Sequence, residues 1–136
     1  MNTRHSILTL LSLCVVFAVS TAFAAGNADK EISTAIIHAG FASNMKDTKH
    51  VHLHLHHVVN CLVGPHGAGF YAPAGDPCKG MGNGAMNDAK GSFAVKNSLK
   101  MALDDAQSGL ATNDFKAAHD AAVMAEKELK GAKNGT

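Results

Sequence analysis

The stretch HVHLHLHHVVNCL, residues 50–62, carries two patterns at once. Its apolar residues recur three and four positions apart, which is the spacing of one face of an α-helix. Five of its first eight residues are histidines. Because imidazole is the commonest protein metal ligand and titrates near neutrality, we predict a helix with either a ligand set or a solvated histidine face. The apolar positions are Val51, Leu55, Val58, Val59 and Leu62.

Helical spacing of apolar residues and alanines continues on both sides of this segment. The predicted helices span residues 28–44, 48–63, 92–110 and 113–131. The polar break Thr112-Asn113-Asp114 supplies N-capping side chains before Phe115, and Asn44 to Asp47 is its counterpart in the first half. We therefore predict an all-α fold, a small antiparallel four-helix bundle made of two helical hairpins.

The two halves of the chain match when the first is shifted onto the second. The shift that places Asp47 on Asp114 also places His52 on His119. Alanine or other apolar residues coincide at 32/99, 35/102, 39/106, 55/122, 58/125 and 62/129. This match predicts a twofold repeat of one helical hairpin.

The N-terminal segment has the order of a secretory signal. Arg4 and His5 precede an apolar run from Ile7 to Val19, and Ala22-Phe23-Ala24 supplies small residues for a peptidase. The run is shorter than the roughly 20 residues that cross a bilayer, so we do not expect a retained anchor. Residues 1–24 are predicted to be removed after Ala24, which implies a periplasmic or secreted protein.

The remaining residues, 25–136, are enough for a single helical domain. They contain eleven lysines and eleven acidic residues, and neither arginine nor tryptophan. A neutral chain of this kind has no electrostatic footprint for nucleic acid. No segment has the context of a catalytic nucleophile, a phosphate-binding loop or a zinc-protease helix, so we do not expect an enzyme.

Two cysteines, Cys61 and Cys78, remain after removal of the signal. In an exported chain they predict one disulfide, and closing a loop of this length stabilises a fold by about 3 kcal/mol. The alternative is a pair of thiolate metal ligands. Residues 64–91 hold all three prolines and most of the glycines, so they are predicted to be a loop tied back by the disulfide.

The histidines of the second helix divide between two flanks when Leu55 marks the core direction. His52 and His56 fall on one flank, one turn apart, where they could chelate one ion. His119 is the repeat counterpart of His52. It lies at the edge of the predicted buried face of the last helix and could complete the site of His52 and His56. The opposite flank, predicted to be more exposed, holds His50, His54, His57 and Cys61.

Isolated histidines such as His38 and His66 are predicted to be solvated or hydrogen-bonded rather than ligands. The run of five is different, because histidine is a mediocre helix former and gives the helix no folding advantage. Imidazole combined with methionine suits copper, and imidazole combined with carboxylate suits zinc or nickel.

The chain resembles the small metal-binding protein type of exported four-helix protein, in which His-Ala pairs recur along two hairpins. The likeness rests on His38-Ala39, on the run His50–His57 and on Ala118-His119. It implies a periplasmic protein that buffers divalent metals, copper foremost. The motif HHxxNCLxGP, His56 to Pro65, also resembles a motif of small exported bacterial proteins of unknown function. Because the histidines crowd into the second helix here, we expect one or two local sites.

The leading hypothesis is thus a periplasmic protein that binds transition-metal ions, copper before zinc or nickel. A second hypothesis is a cell-envelope interaction module with a pH-responsive histidine face, whose loop 64–91 contacts a protein partner. A third is non-covalent haem binding through His52 or His119.

Overall fold

Five α-helices lie in residues 26–135, the part of the chain that the computed structural model describes. They are α1 (Ala28–Ala42), α2 (Thr48–Val63), α3 (Ala85–Asp88), α4 (Phe93–Leu110) and α5 (Phe115–Asn134). A 3-10 turn, Ala72–Ala74, precedes α3, and the described residues contain no strand. The all-α prediction is confirmed, and the predicted loop contains one short helix that the sequence did not reveal. The predicted signal, residues 1–24, lies outside the described residues.

The starts of α2 and α5 use the same capping side chain. An Asp47 side-chain oxygen accepts a hydrogen bond from the main-chain N–H of His50 at 3.0 Å, and Asp114 accepts one from Ala117 at 2.7 Å. Such caps satisfy main-chain donors that a helix start otherwise leaves unpaired. The polar breaks predicted from the sequence therefore end one helix and begin the next. Asn27 and Ser92 cap α1 and α4 in the same way.

The buried faces of the long helices repeat with the spacing found in the sequence. Ile32 in α1 and Leu99 in α4 are both fully buried. The fully buried positions of α2 and α5 correspond in the pairs Val51/Ala118, Leu55/Ala122, Val58/Ala125 and Leu62/Leu129. α5 continues past its predicted end because Ala132 extends its buried stripe by one more position.

Small residues let the long helices approach closely. α1 packs against α2 and α5, and α4 packs against α5 and α2. A Cβ atom added at Gly109 in α4 would lie only 2.5 Å from Leu55 Cδ1 of α2. Within residues 26–135 no helix combines the length and the apolar character needed to span a bilayer.

The segment 64–91 packs onto the helices. Cys61 and Cys78 are bonded, with their Cα atoms 5.3 Å apart, so the disulfide prediction is confirmed. The N–H of Asn27 donates to the carbonyl of Met81 at 2.7 Å, which joins the segment to the start of α1. The expectation that Cys61 lies on an exposed flank was wrong. Its side chain is fully buried, because the segment to which it is bonded covers that side of α2.

Candidate metal centre

Three imidazoles from two helices meet between α1 and α2. The Nδ1 atom of His38 in α1 lies 3.2 Å from Nδ1 of His54 and 3.2 Å from Nδ1 of His57, both in α2. One ring nitrogen from each histidine lies within 4.8 Å of the other two. We call these residues the histidine triad. In the described residues it is the one group of three or more histidine, cysteine or acidic side chains with the spacing of a metal site.

The loop fixes the tautomer of one member of the triad. Nε2 of His57 lies 2.7 Å from the main-chain carbonyl of Ala74, which can only accept a hydrogen bond. His57 therefore carries its hydrogen on Nε2 when neutral, and its Nδ1 lone pair faces His38. Hydrogen bonding of the second ring nitrogen to a carbonyl is the usual way in which proteins orient a metal-bound histidine.

Three neutral rings in this arrangement cannot form two separate hydrogen bonds. A neutral ring nitrogen has either one hydrogen or one lone pair. If Nδ1 of His38 carries the hydrogen, it can donate to His57, but it then has no lone pair for His54 and no second hydrogen. If it carries the lone pair, it faces the lone pair of His57. A cation at the centre would accept a lone pair from each of the three nitrogens.

The surroundings of the triad favour the neutral form of two of its rings, those of His38 and His54. The pKa of His38 is lowered from 6.5 to about 4, first by burial and then by the neighbouring His57 and His54. Burial also lowers the pKa of His54, followed by the effects of His57 and His50. Because a metal ion binds unprotonated imidazole, this environment keeps ligand nitrogens available down to mildly acidic pH. Phe41 stands edge-on to His38, with ring centres 5.7 Å apart.

Asn60 connects α2, the helix that carries His54 and His57, to the segment 64–91. Its side chain is fully buried and donates to the carbonyls of Tyr71 at 3.0 Å and Gly75 at 2.7 Å. Its Oδ1 accepts from the N–H of Tyr71 at 2.8 Å. These bonds hold the main chain at Tyr71 and Gly75, on either side of Ala74. The His56 ring stacks on the Tyr71 ring, with ring centres 4.3 Å apart. The motif from His56 to Pro65 thus holds the loop that orients His57.

The remaining predicted ligands have other partners. Nε2 of His52 donates to the carbonyl of Thr112 at 2.9 Å, between α4 and α5. His50 contacts the capping carboxylate Asp47 at 2.7 Å, and His119 lies 3.7 Å from Asp120.

The structure does not bring His52, His56 and His119 together as a three-ligand group. The Nδ1 atom of His56 is buried without a hydrogen-bond partner. Its pKa is lowered, first by burial and then by His52 and His57.

His38 is the member of the triad that sequence reasoning placed among solvated histidines. One signal could have found it. α1 and α2 are consecutive and joined by residues 43–47, so positions equally distant from this turn face each other. Counting outward brings position 38 opposite position 52, from which His54 lies within one helical turn and His57 just beyond one turn. No family model, curated protein or solved structure matches this chain.

Proposed function

We propose that this protein binds a transition-metal ion through the Nδ1 atoms of His38, His54 and His57. The observation that carries the proposal is the meeting of three ring nitrogens, between which neutral rings cannot form two separate hydrogen bonds. Nitrogens 3.2 Å apart subtend an angle of about 100° at an ion bound at about 2.05 Å. This angle suits a tetrahedral or distorted site with one position left for water or another ligand.

The donor set favours copper, with zinc and nickel as weaker competitors. Imidazole suits all three ions, and for one set of nitrogen ligands Cu²⁺ binds more tightly than Ni²⁺ or Zn²⁺. The triad contains neither a thioether nor a carboxylate, so the argument rests on nitrogen ligands alone. A fourth position open to exchange suits buffering or transfer of an ion rather than permanent structural binding.

The wider proposal is a non-enzymatic metal-buffering protein of the periplasm. The Cys61–Cys78 bond is consistent with an oxidising compartment, as the predicted signal would require. We further propose that α1 with α2 and α4 with α5 form two hairpins of an antiparallel four-helix bundle. The repeated caps and buried stripes support that arrangement.

Calorimetric titration of the protein, purified without a histidine tag, tests the proposal. We expect Cu(II) to bind at about one ion per chain and more tightly than about 10 µM, followed by Ni(II) and Zn(II). Replacing any one triad histidine by glutamine should weaken binding at least about tenfold, because one of three ligands is lost. His66→Gln is the matched control, since His66 is exposed and outside the triad.

Two results would contradict the triad. One is the absence of saturable binding tighter than about 10 µM for all three ions. The other is binding that survives the triad substitutions but is lost in His52→Gln or His56→Gln, which would return the site to the flank predicted from the sequence. A Soret band in the purified protein would instead support haem binding.

A further inference from the structure

A cleft of about 520 Å³ lies between α2 and the loop of residues 71–74. This volume falls within the roughly 300–1,000 Å³ of the sites that hold small molecules in proteins. Leu53 and the loop residues Tyr71, Pro73 and Ala74 supply its apolar surface. The three triad histidines do not line it, so the cleft is separate from the candidate metal centre.

Hydrogen bonds and ring stacking hold the walls of this cleft in place. On the side of α2, the Nε2 atom of His52 donates to a main-chain carbonyl, and the ring of His56 stacks on that of Tyr71. On the loop side, the buried Asn60 side chain binds the main chain at Tyr71 and Gly75. A cleft that is formed before its ligand arrives loses little conformational entropy on binding. These contacts therefore give the cleft the fixed shape that a binding site requires.

The charge of the cleft is positive. Lys49 lines it, and none of the described acidic side chains forms an ion pair with the Lys49 ammonium. His50 also lines it, but its Nδ1 atom contacts the carboxylate of Asp47 at 2.7 Å, which offsets any charge on that ring. Burial lowers the pKa of His56, so this ring is neutral near pH 7. Because no described acidic residue lines the cleft, Lys49 attracts an anion there.

The ammonium and the aromatic surface lie toward different ends of the cleft. Lys49 precedes His56, the residue on which Tyr71 stacks, by two turns of α2, which is about 10 Å along the helix. An anionic group held by Lys49 would therefore leave the rest of a ligand beside Leu53 and Tyr71. The ring of Tyr71 is 45% exposed and can pack against a second aromatic ring.

We propose that this cleft binds a small organic anion in which a short chain joins a carboxylate to an aromatic ring. The carboxylate pairs with the ammonium of Lys49, and the ring packs against Tyr71 and Pro73 of the loop. This site is independent of the histidine triad and of the metal ion proposed there.

NMR titration of the chelator-treated protein with cinnamate tests the cleft. Cinnamamide is the matched neutral probe, because it has the same shape and no charge. We expect cinnamate to bind with a Kd of about 1 mM, as a small fragment does, and to shift the ring signals of His52, His56 and Tyr71. Cinnamamide should bind about threefold more weakly, since it forms no ion pair with Lys49.

Two substitutions separate the contributions of the charge and the ring. Lys49→Gln should weaken cinnamate binding about threefold and leave cinnamamide binding unchanged, so that the two probes then bind alike. Tyr71→Ala should weaken the binding of both probes about three- to tenfold, because the aromatic face is lost. Lys127→Gln should change neither affinity and is the matched control, since Lys127 is an exposed lysine outside the cleft.

Three outcomes would overturn the proposed anion site. The first is the absence of saturable shifts at His52, His56 and Tyr71 up to about 20 mM cinnamate. The second is equal affinity of the wild type for the two probes, or a preference for cinnamate that survives Lys49→Gln. The third is loss of cinnamate binding in His38→Gln, which would move the anion to the triad. Retained binding in that variant separates this test from that of the metal centre.

Discussion

Replacing His38 by glutamine should remove a large part of the acid sensitivity of the metal-free fold. Burial, with the neighbouring His57 and His54, lowers the pKa of His38 from 6.5 to about 4. In the unfolded chain the same ring takes up its proton near the ordinary value. Between these two values the unfolded state binds more protons than the folded state. The stability that His38 contributes is therefore present above pH 6.5 and is lost as the pH falls toward 4.

The size of the effect follows from the separation of the two pKa values. A difference of about 2.5 corresponds to about 3.4 kcal/mol in the free energy of unfolding. His38 is only half-buried, and solvent screening reduces this figure by about half. We therefore expect His38 to account for about 1.5 kcal/mol of the stability lost between pH 7 and pH 4.

Urea unfolding of the metal-free protein at pH 7 and pH 4 measures this loss. Wild type, His38→Gln and the exposed-site control His66→Gln should be compared, because other titrating groups are common to all three. Glu31, whose pKa is raised, contributes in the opposite sense and cancels in the comparison. The reasoning fails if His38→Gln loses as much stability as wild type. It also fails if NMR titration of the His38 ring gives a midpoint near 6.5.

Four further predictions test the supporting structure. Asn60→Ala should weaken metal binding about 10- to 100-fold in calorimetry, because Asn60 anchors the loop that orients His57. Unchanged affinity would show that the loop does not orient this ligand. Asp47→Ala and Asp114→Ala should each lower the free energy of unfolding in urea by about 1 kcal/mol. The two effects should add, because the residues cap different helices. A loss of stability in only one of the two variants would refute the equivalence of the two turns. Gly109→Ala should cost about 1–3 kcal/mol in the same assay, because the added Cβ meets Leu55, and a neutral result would mean that α2 and α4 can separate freely. Reduction of the disulfide should cost about 3 kcal/mol, measured by unfolding with and without a dithiol, and no change would mean that the loop is held by its hydrogen bonds alone.

The sequence was sufficient to locate the long helices, because their determinants are local. Asp47 and Asp114 mark helix starts through hydrogen bonds to main-chain groups only three residues away. The apolar spacing through Leu55 and Leu62 identifies the buried face wherever the helix packs, and both residues are fully buried. The short helix α3 was missed, because its four residues sit in a glycine-rich segment and depend on packing against α1 and α2.

The candidate metal centre depended on information that the sequence does not contain directly. A helical wheel gives the angle of each side chain about its own axis, but not which flank a neighbouring helix covers. α1 covers the flank of α2 that carries His54 and His57, so these rings are half-buried like those of His52 and His56.

The sequence by itself thus determined that this chain is helical, where its long helices begin and which faces they bury. It predicted the pairing of Cys61 with Cys78, which the structure shows. Only the tertiary structure decided which histidines meet. His38 is 16 residues from His54 and 19 from His57, and their contact depends on the packing of α1 against α2. The carbonyl of Ala74 then fixes which nitrogen of His57 is free, and the fold of a segment rich in glycine and proline sets that contact. Local hydrogen bonds and apolar spacing are encoded residue by residue, whereas a site shared by two helices and a loop exists only when all three are packed.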